Sequence, residues 1–497
     1  MAIRRQVNRG GRVSPGSIPA PFGGWNTRDS LDAMPPTDAV KLINWIPDVG
    51  KVSVRRGNAA HVTLGGTNVD TLAEYNAKGV RHLIAAANTK LFNASSVATE
   101  IGTGFLSDQW QTANFSGRMF LVNGLDDPQD WDGTTLSATA WSGAGLTPSD
   151  LVGVNVFKNR LFFWETDSQD FWYAPLDAIT GGLTKFTLSR AANLGGDLVA
   201  IATWTVDSGS GYDDRAVFIM SSGQLVVYAG TDPGDATAWK LEGVYQTGEP
   251  MGVRAIVQVG GDVMITTKDD YVSLSAVVAN GQIGTSSKLS GAVRDATAAA
   301  SDIFGWQSVL FRPDGLIINN VPRTDGTLEQ YVINTTTGGP CRFVGLNGRS
   351  WSIFNNELYF GGTDGKIYKY TGNQDGTADI ETDAEQAWNS VGSFNRKRVA
   401  ACRPILSTNG LIDYSFSIGF DFQPAFISNP QSSSVSVGLW DISFWDVTPW
   451  SDESIVDKSW RVCSGNGQNI SPRLKVNSRQ AVSWLRTDLR LEVGRNL

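Results

Sequence analysis

The residue types able to do chemistry are sparse in this chain. It has two histidines, His61 and His82. Neither sits among cysteines or carboxylates at metal-ligand spacing, and His82 lies in a strand-like run, so both read as packed or surface side chains. There is no G-x-S-x-G elbow, phosphate loop or H-E-x-x-H run. The densest carboxylates are Asp126, Asp127, Asp130 and Asp132 in LDDPQDWDG. Such a group could hold Ca²⁺ through oxygen ligands, but the full calcium-loop pattern is missing. Asp and Gly also dominate ordinary hairpin turns, and that reading is preferred here, for Asp269 with Asp270 and for Pro313-Asp314-Gly315. Glycoside cleavage needs two carboxylates a few ångström apart, and no such pair can be named from scattered turn residues. No catalytic residue, metal or cofactor is assigned.

Basic residues cluster twice. Arg4, Arg5, Arg9 and Arg12 crowd a start without apolar periodicity, which reads as a flexible basic arm over residues 1–20. It is either a solvated tail or an arm that docks on an acidic neighbour or nucleic acid. Arg396, Lys397, Arg398 and Arg403 form the second group. They are either a solvated strand edge that discourages aggregation or a contact for phosphate or an acidic partner. Cys341, Cys402 and Cys463 are far apart and odd in number, with no C-x-x-C spacing. They are not expected to form a disulfide framework, and a reducing compartment of synthesis is the default.

The elements that must carry these residues are β-strands. Of the 497 residues, 41% are hydrophobic and only 18% charged, with 54 Gly and 17 Trp. Much Gly beside many aromatics fits strands joined by tight turns and fits long helices poorly. Net charge is −8, so the protein as a whole is not a polyanion binder. No secretory apolar segment and no apolar run long enough to span a membrane is visible, so nothing is expected to be targeted or membrane-spanning.

The run NELYFGGTDGKIYKYTG, 356–372, reads as a β-hairpin. Its strands carry consecutive apolar residues, so both faces should be covered, as in a stack of sheets. Similar hairpins begin at Arg81, Arg118, Asn159, Asp214, Gly261 and Gln307. Markers in their second strands are Phe92, Trp131, Trp172, Tyr228, Val272, Ile318 and Tyr368, spaced 39, 41, 56, 44, 46 and 50 residues apart. Four-stranded propeller blades repeat at ~40–50 residues. The expected fold is therefore all-β: a β-propeller of about seven blades over 61–375, with six or eight left open. The polar stretch NQDGTADIETDAEQAWNSVG reads as a connector or short helix. Beyond it, LIDYSFSIGFDFQ alternates Ile412, Tyr414, Phe416, Ile418, Phe420 and Phe422 on one side. Residues 376–497 are expected to form a separate antiparallel, sandwich-like C-terminal unit.

The run PFGGWNTRDSLDAMPPTDAVKLINWIPDVGKVSVRRG, 21–57, is the most informative. Ala39, Leu42 and Ile43 stand at helix spacing after two prolines, which predicts a Pro-started helical turn followed by a turn and strand. This run resembles the N-terminal signature of the tail nozzle, or tail-hub, proteins of short-tailed bacteriophages (tail tubular protein B-like). The matching residues are Gly23, Gly24, Asn26, Pro36, Ala39, Leu42, Asn44, Arg55 and Gly57. The closing run CSGNGQNISPRLKVNSRQAVSWLRTDLRLEVG is similar to the same family's last strands.

The resemblance implies a docking segment over 21–60 and a non-enzymatic virion protein made in the host cytoplasm. It implies a homo-oligomeric ring, a hexamer, below portal and adaptor proteins, in contact with tail fibres or spikes and a tail plug. Genomic DNA would pass through the ring without sequence-specific contact, and the ring would gate its release. The acidic net charge agrees, since a lumen that repels phosphate lets DNA slide. A first rival is a carbohydrate-binding or glycan-cleaving propeller, with Trp110, Trp131, Trp141 and Trp172 exposed in loops to stack on sugars. A second is a generic propeller scaffold, though WD and kelch signatures are missing.

Overall fold

The computed structural model describes residues 13–66, 68–77, 79–207, 212–280, 291–425, 427, 431–432, 455–463 and 465–493. Arg4, Arg5, Arg9 and Arg12 lie outside them. The chain divides into two compact units: 58–331 with 344–371, and residues up to Gly57 with 332–343 and those from Gly372 onward. The first unit is therefore inserted in the second along the sequence.

The inserted unit is a β-propeller of seven blades in chain order, the first five of them separate sheets of three or four strands. Blade 1 runs Thr71–Ala77, Val80–Ala87, Lys90–Asn93 and Thr99–Thr103, each strand antiparallel to the last. Blades 2, 3 and 4 repeat the pattern over Gln111–Ala138, Leu151–Thr187 and Leu198–Gln246. Blade 5 has three strands over Ile256–Ser273 and then a helix, Leu274–Asn280. Blade 6 opens with Gln307–Phe311 paired to Leu316–Pro322. Blade 7 consists of Gly348–Phe354, Glu357–Gly362 and Lys366–Tyr370, completed by Asn58–Thr63 from the start of the unit, with Tyr370 opposite Asn58. The first strand of the unit thus closes the last blade, and the ring is sealed by a sheet made from both ends of the repeat array.

The double-faced apolar strands are explained by this ring. In blade 2, Met119 and Leu121 pack with Tyr75, Ile84 and Leu91 of blade 1. Their neighbours Phe120 and Val122 point the other way, onto Leu161, Phe163 and Trp172 of blade 3. A further core spans blades 3, 4 and 5, and another joins Phe354, Tyr359 and Ile367 of blade 7 to Leu83, Ala85 and Phe92 of blade 1. Each strand side chain set alternates across the sheet, so a sheet held between two others needs apolar residues at every position. Outer strands such as Thr99–Thr103 and Leu136–Ala138 are mostly polar and exposed. Tight turns set the register: Asn355 and Asn356 both have positive φ, 51° and 61°, as a two-residue type I′ hairpin requires.

Six of the seven hairpins read from the sequence are the second and third strands of a blade. The sixth is shifted: Gln307–Pro322 holds the first and second strands, so Ile318 marks one strand earlier than the other markers.

The second unit is built from both ends of the chain. One sheet joins Trp45–Asp48, Lys51–Val54, Val482–Val493, Lys397–Thr408 and Ile455–Asp457, with Val13–Pro19 antiparallel to Val482–Val493. Residues 13–19, expected within a flexible arm, are thus an ordered strand, because the register from Val13↔Glu492 to Pro19↔Arg486 supplies backbone partners that no local pattern announces. The other sheet contains Asp38–Ile43, Ala378–Glu381, Asp383–Gln386, Ile470–Ser478 and Asp413–Phe420. Tyr414 of this sheet donates to Asp457 of the first at 2.9 Å.

Three expectations are corrected here. Residues 38–43 form a strand, not a helical turn. Its pairing with Asp383–Gln386 shifts register between Ala39 and Lys41, and this bulge brings Ala39 and Leu42, three apart, to the same buried side. Helix-like spacing was the mark of a bulged strand. Residues 374–386, expected as a connector or helix, are three short strands. The last of them buries Asp383, Glu385 and Gln386, and Asp383 meets Lys41 and Arg473 at 2.8 Å each. Finally, Cys402 and Cys463 form a disulfide, with Cα atoms 6.2 Å apart. Antiparallel pairing of Ala401 with Val462 brings together two cysteines that are 61 residues apart in sequence. Cys341 is free and buried, and burial pushes its thiol up.

Candidate functional site

The nine residues that carry the family resemblance all lie in the second unit, where most of them are structural. Asn26 is buried. Its amide donates to Asp29 and Asp38 at 2.9 and 2.8 Å, and its Oδ1 accepts the backbone N–H groups of Arg28 and Asp29. Burial, opposed by the Asn26 bond, pushes the Asp38 carboxyl up. A Cβ on Gly23 would collide with the Asp38 carboxylate. Gly24, at φ 99°, leaves no room for one against Pro340. Pro36 is exposed, while Ala39 and Leu42 are core.

Asn44, Arg55 and Gly57 form one knot. Asn44 takes a left-handed conformation, φ 59°, and donates to the carbonyl of Glu381 at 2.7 Å. The Arg55 guanidinium is wholly enclosed. It donates to Asn44 Oδ1 at 2.9 Å and bidentately to Asp375 at 2.9 and 2.6 Å, and it lies 5.8 Å from the centre of the Phe343 ring. Gly57 donates to Gly372 O at 2.9 Å, and a Cβ there would strike the carbonyl of Gln374. The residues leading into the propeller are thereby tied to those leading out of it.

The basic group divides. Arg396 and Arg398 are exposed, with Asn466 at 3.1 Å and Glu492 at 3.5 Å as partners. Arg403 pairs with Asp488 at 2.9 Å and stacks 4.4 Å from the Trp460 ring centre. Lys397 is only 1% exposed, and its ammonium donates to the carbonyls of Ser393, Asn395 and Gln468. Strand alternation turns it inward, so it is removed from the surface that could meet phosphate. Burial lowers its pKa.

The remaining chemistry-bearing residues also have structural partners. Asp126 accepts from Leu106 N and Asn123, Asp130 pairs with Arg118, and Asp132 caps the turn at Thr134 and Thr135. Those turn bonds hold the Asp132 carboxyl down to about 2. No cluster of metal-ligating side chains occurs among the described residues. His61 bonds the Ala94 carbonyl at 3.0 Å, and His82 stacks on Tyr75. Trp110, Trp131, Trp141 and Trp172, expected to be exposed, are 2%, 4%, 4% and 1% accessible. They are core residues between blades, so none can stack on a sugar. Among the described residues no helix is long and apolar enough to cross a membrane.

A feature the sequence reading missed lies inside the propeller. A cavity of about 530 Å³ opens where several inner strands begin. Asp70, Gln111, Val152, Arg254, Gln307 and Arg349 reach it from six different blades. Arg254 sits on a short 3₁₀ turn, Val253–Ala255, that follows Gly252 at φ 133°. Its guanidinium donates to Asp70 O at 2.7 Å, Thr71 Oγ1 at 2.9 Å and Trp110 O at 2.9 Å. Burial lowers its pKa to about 10. Arg349 donates to the Asp70 carboxylate. A smaller cavity of about 220 Å³ is lined by Asn155, Ala202 and Gln258. No spacing in the sequence joins Asp70, Arg254 and Arg349. Only ring closure does.

No family model matches the chain. No curated protein matches it either. Among solved structures, it is similar to BBS1N from a complex with ARL6DN, at 12% identity over 66% of this chain and 99% of that one, TM-score 0.40. It is likewise similar to the Cps50 (Swd1) β-propeller domain of Myceliophteria thermophila, at 11% identity over 63% and 99%, TM-score 0.40. A third, an exo-beta-1,3-galactanase from Phanerochaete chrysosporium, matches at 10% identity over 76% and 95%, TM-score 0.28.

Proposed function

We propose that the chain is a structural, non-catalytic ring subunit of the tail nozzle of a short-tailed bacteriophage. In this reading it assembles below the portal and adaptor as a homohexamer, bears fibres or spikes, and continues the channel through which DNA leaves the capsid. The observation that carries the proposal is the fate of residues 23–57. The run that resembles the nozzle signature folds with the run that resembles the family's last strands into one unit, with Val13–Pro19 and Lys51–Val54 both on Val482–Val493. The propeller is threaded between them as an insertion. A propeller inserted along the chain of a terminal unit suits a subunit of a load-bearing ring, in which subunits meet by head-to-tail contacts that close.

Two further features support it. Net charge is −8, suited to a wall along which DNA slides. The carboxylates and histidines named above are used in turns and packing. The test is negative-stain electron microscopy of the purified full chain, alone and with portal–adaptor particles of a phage that carries it. Six-fold rings on the adaptor end are expected. A chain that stays monomeric with those particles, and is missing from purified virions by mass spectrometry, overturns the proposal.

A further inference from the structure

The propeller cavity has a charge imbalance that the ring assignment does not use. Three guanidinium groups reach it: Arg254, Arg323 and Arg349. Arg349 is matched by Asp70, and Arg323 by Glu329 at 3.7 Å. Arg254 has no ion pair of its own and only shares the attraction of the Asp70 carboxylate that Arg349 holds. Its three hydrogen bonds all go to neutral oxygens, and no carboxylate stands within ion-pair distance among the described residues. A part-buried cation without an ion pair of its own is costly, and an anion placed beside it recovers part of that cost. One unmatched charge calls for one negative charge. Leu125, Val152, Leu328 and Phe304, the last 78% exposed, give the cavity apolar lining. A cavity near 530 Å³ falls in the range of small-molecule sites, with an apolar lining and a few convergent polar groups.

We propose that this cavity binds a small organic monoanion, a carboxylate with an apolar body. The carboxylate sits on Arg254, where the planar guanidinium suits two parallel bonds, and the body lies against Phe304 and Leu328. A dianion such as phosphate is disfavoured, because the second charge finds only arginines already matched by Asp70 and Glu329.

The test is isothermal titration of the full chain with 4-phenylbutyrate, its uncharged amide and inorganic phosphate. Saturable binding of the acid is expected, with the amide weaker by roughly tenfold or more, as for loss of a charged hydrogen-bonding partner. Phosphate should not displace the acid. Arg254→Met should abolish the preference for acid over amide. Since Arg254 also braces three oxygens, Phe304→Ala provides a variant at an exposed position. It should weaken acid and amide alike, several-fold, with unchanged melting. Equal affinity for acid and amide in the native chain overturns the proposal. So does displacement of the acid by phosphate, no saturable binding, or unchanged affinity in Phe304→Ala. None of these outcomes bears on ring assembly.

Discussion

The two units are held together by different physics. In the propeller, every blade but the last is made of consecutive strands, and neighbouring blades are joined by apolar and aromatic packing. Phe162 alone lies near Phe157, Phe171, Tyr173 and Trp239, with ring centres 5.3–6.5 Å apart. In the terminal unit, paired strands come from opposite ends of the chain, and carboxylates meet cations in matched sets: Arg55 with Asp375, and Asp383 with Lys41 and Arg473. Local hairpins suffice to build a blade. A sheet assembled from residues hundreds apart uses bidentate and networked ion pairs, whose geometry admits few alternatives.

The comparison can be broken by substitutions on each side. Phe162→Ala should cost about 3–5 kcal/mol, as for other buried aromatics, read as a fall in urea midpoint. That loss should be nearly independent of pH and salt. Arg55→Met should cost a similar amount, about 3–5 kcal/mol, because it removes the buried cation that Asp375 meets bidentately and that donates to Asn44. Its cost should shrink when Asp375→Asn removes the paired charge as well, measured as a double-mutant cycle. An Arg55→Met cost unchanged in the Asp375→Asn background would remove the distinction drawn above.

Gly57→Ala should destabilise by about 1–3 kcal/mol, since the added Cβ has to push back the Gln374 carbonyl. Thermal melting of this variant checks it, and an unchanged Tm means the connection into the propeller yields more easily than its contacts imply. The smallest effect is acid dependence. Burial pushes the Asp383 carboxyl up, but bonds from Arg473 and Lys41 outweigh it and hold the pKa below the ordinary value. Its contribution is therefore present above pH ~4, the unfolded value, and is lost as pH falls through the folded one. Glu385, whose carboxyl burial pushes up, acts in the opposite sense. Asp383→Asn should flatten the acid limb of stability below pH ~4, measured by urea unfolding across pH.

Much of the propeller was legible because its signals are local. Gly- and Asp-bearing turns, continuous apolar runs and a repeat of fitting length lie within a few dozen residues of one another. The exception, the shifted marker at Ile318, arose where Arg312–Gly315 imitates a turn between second and third strands. The terminal unit was less legible. Ala39 and Leu42 carried a helical period that a bulge produced, and the polar run 374–386 gave no hint of the arginine and lysines that bury it. Lys397 looked like part of a surface cluster, although alternation along Lys397–Thr408 turns it inward.

From its own order of residues, this chain determined that it would be made of paired strands, about how many pairs, and where its turns would fall. Those properties follow from side-chain period and turn chemistry, which act over a few residues. Tertiary structure alone decided which strand closes the ring, which cysteines meet, which arginines lie enclosed, and that Asp70, Arg254 and Arg349 share a cavity. Each of those depends on residues far apart in sequence, brought together only when sheets pack.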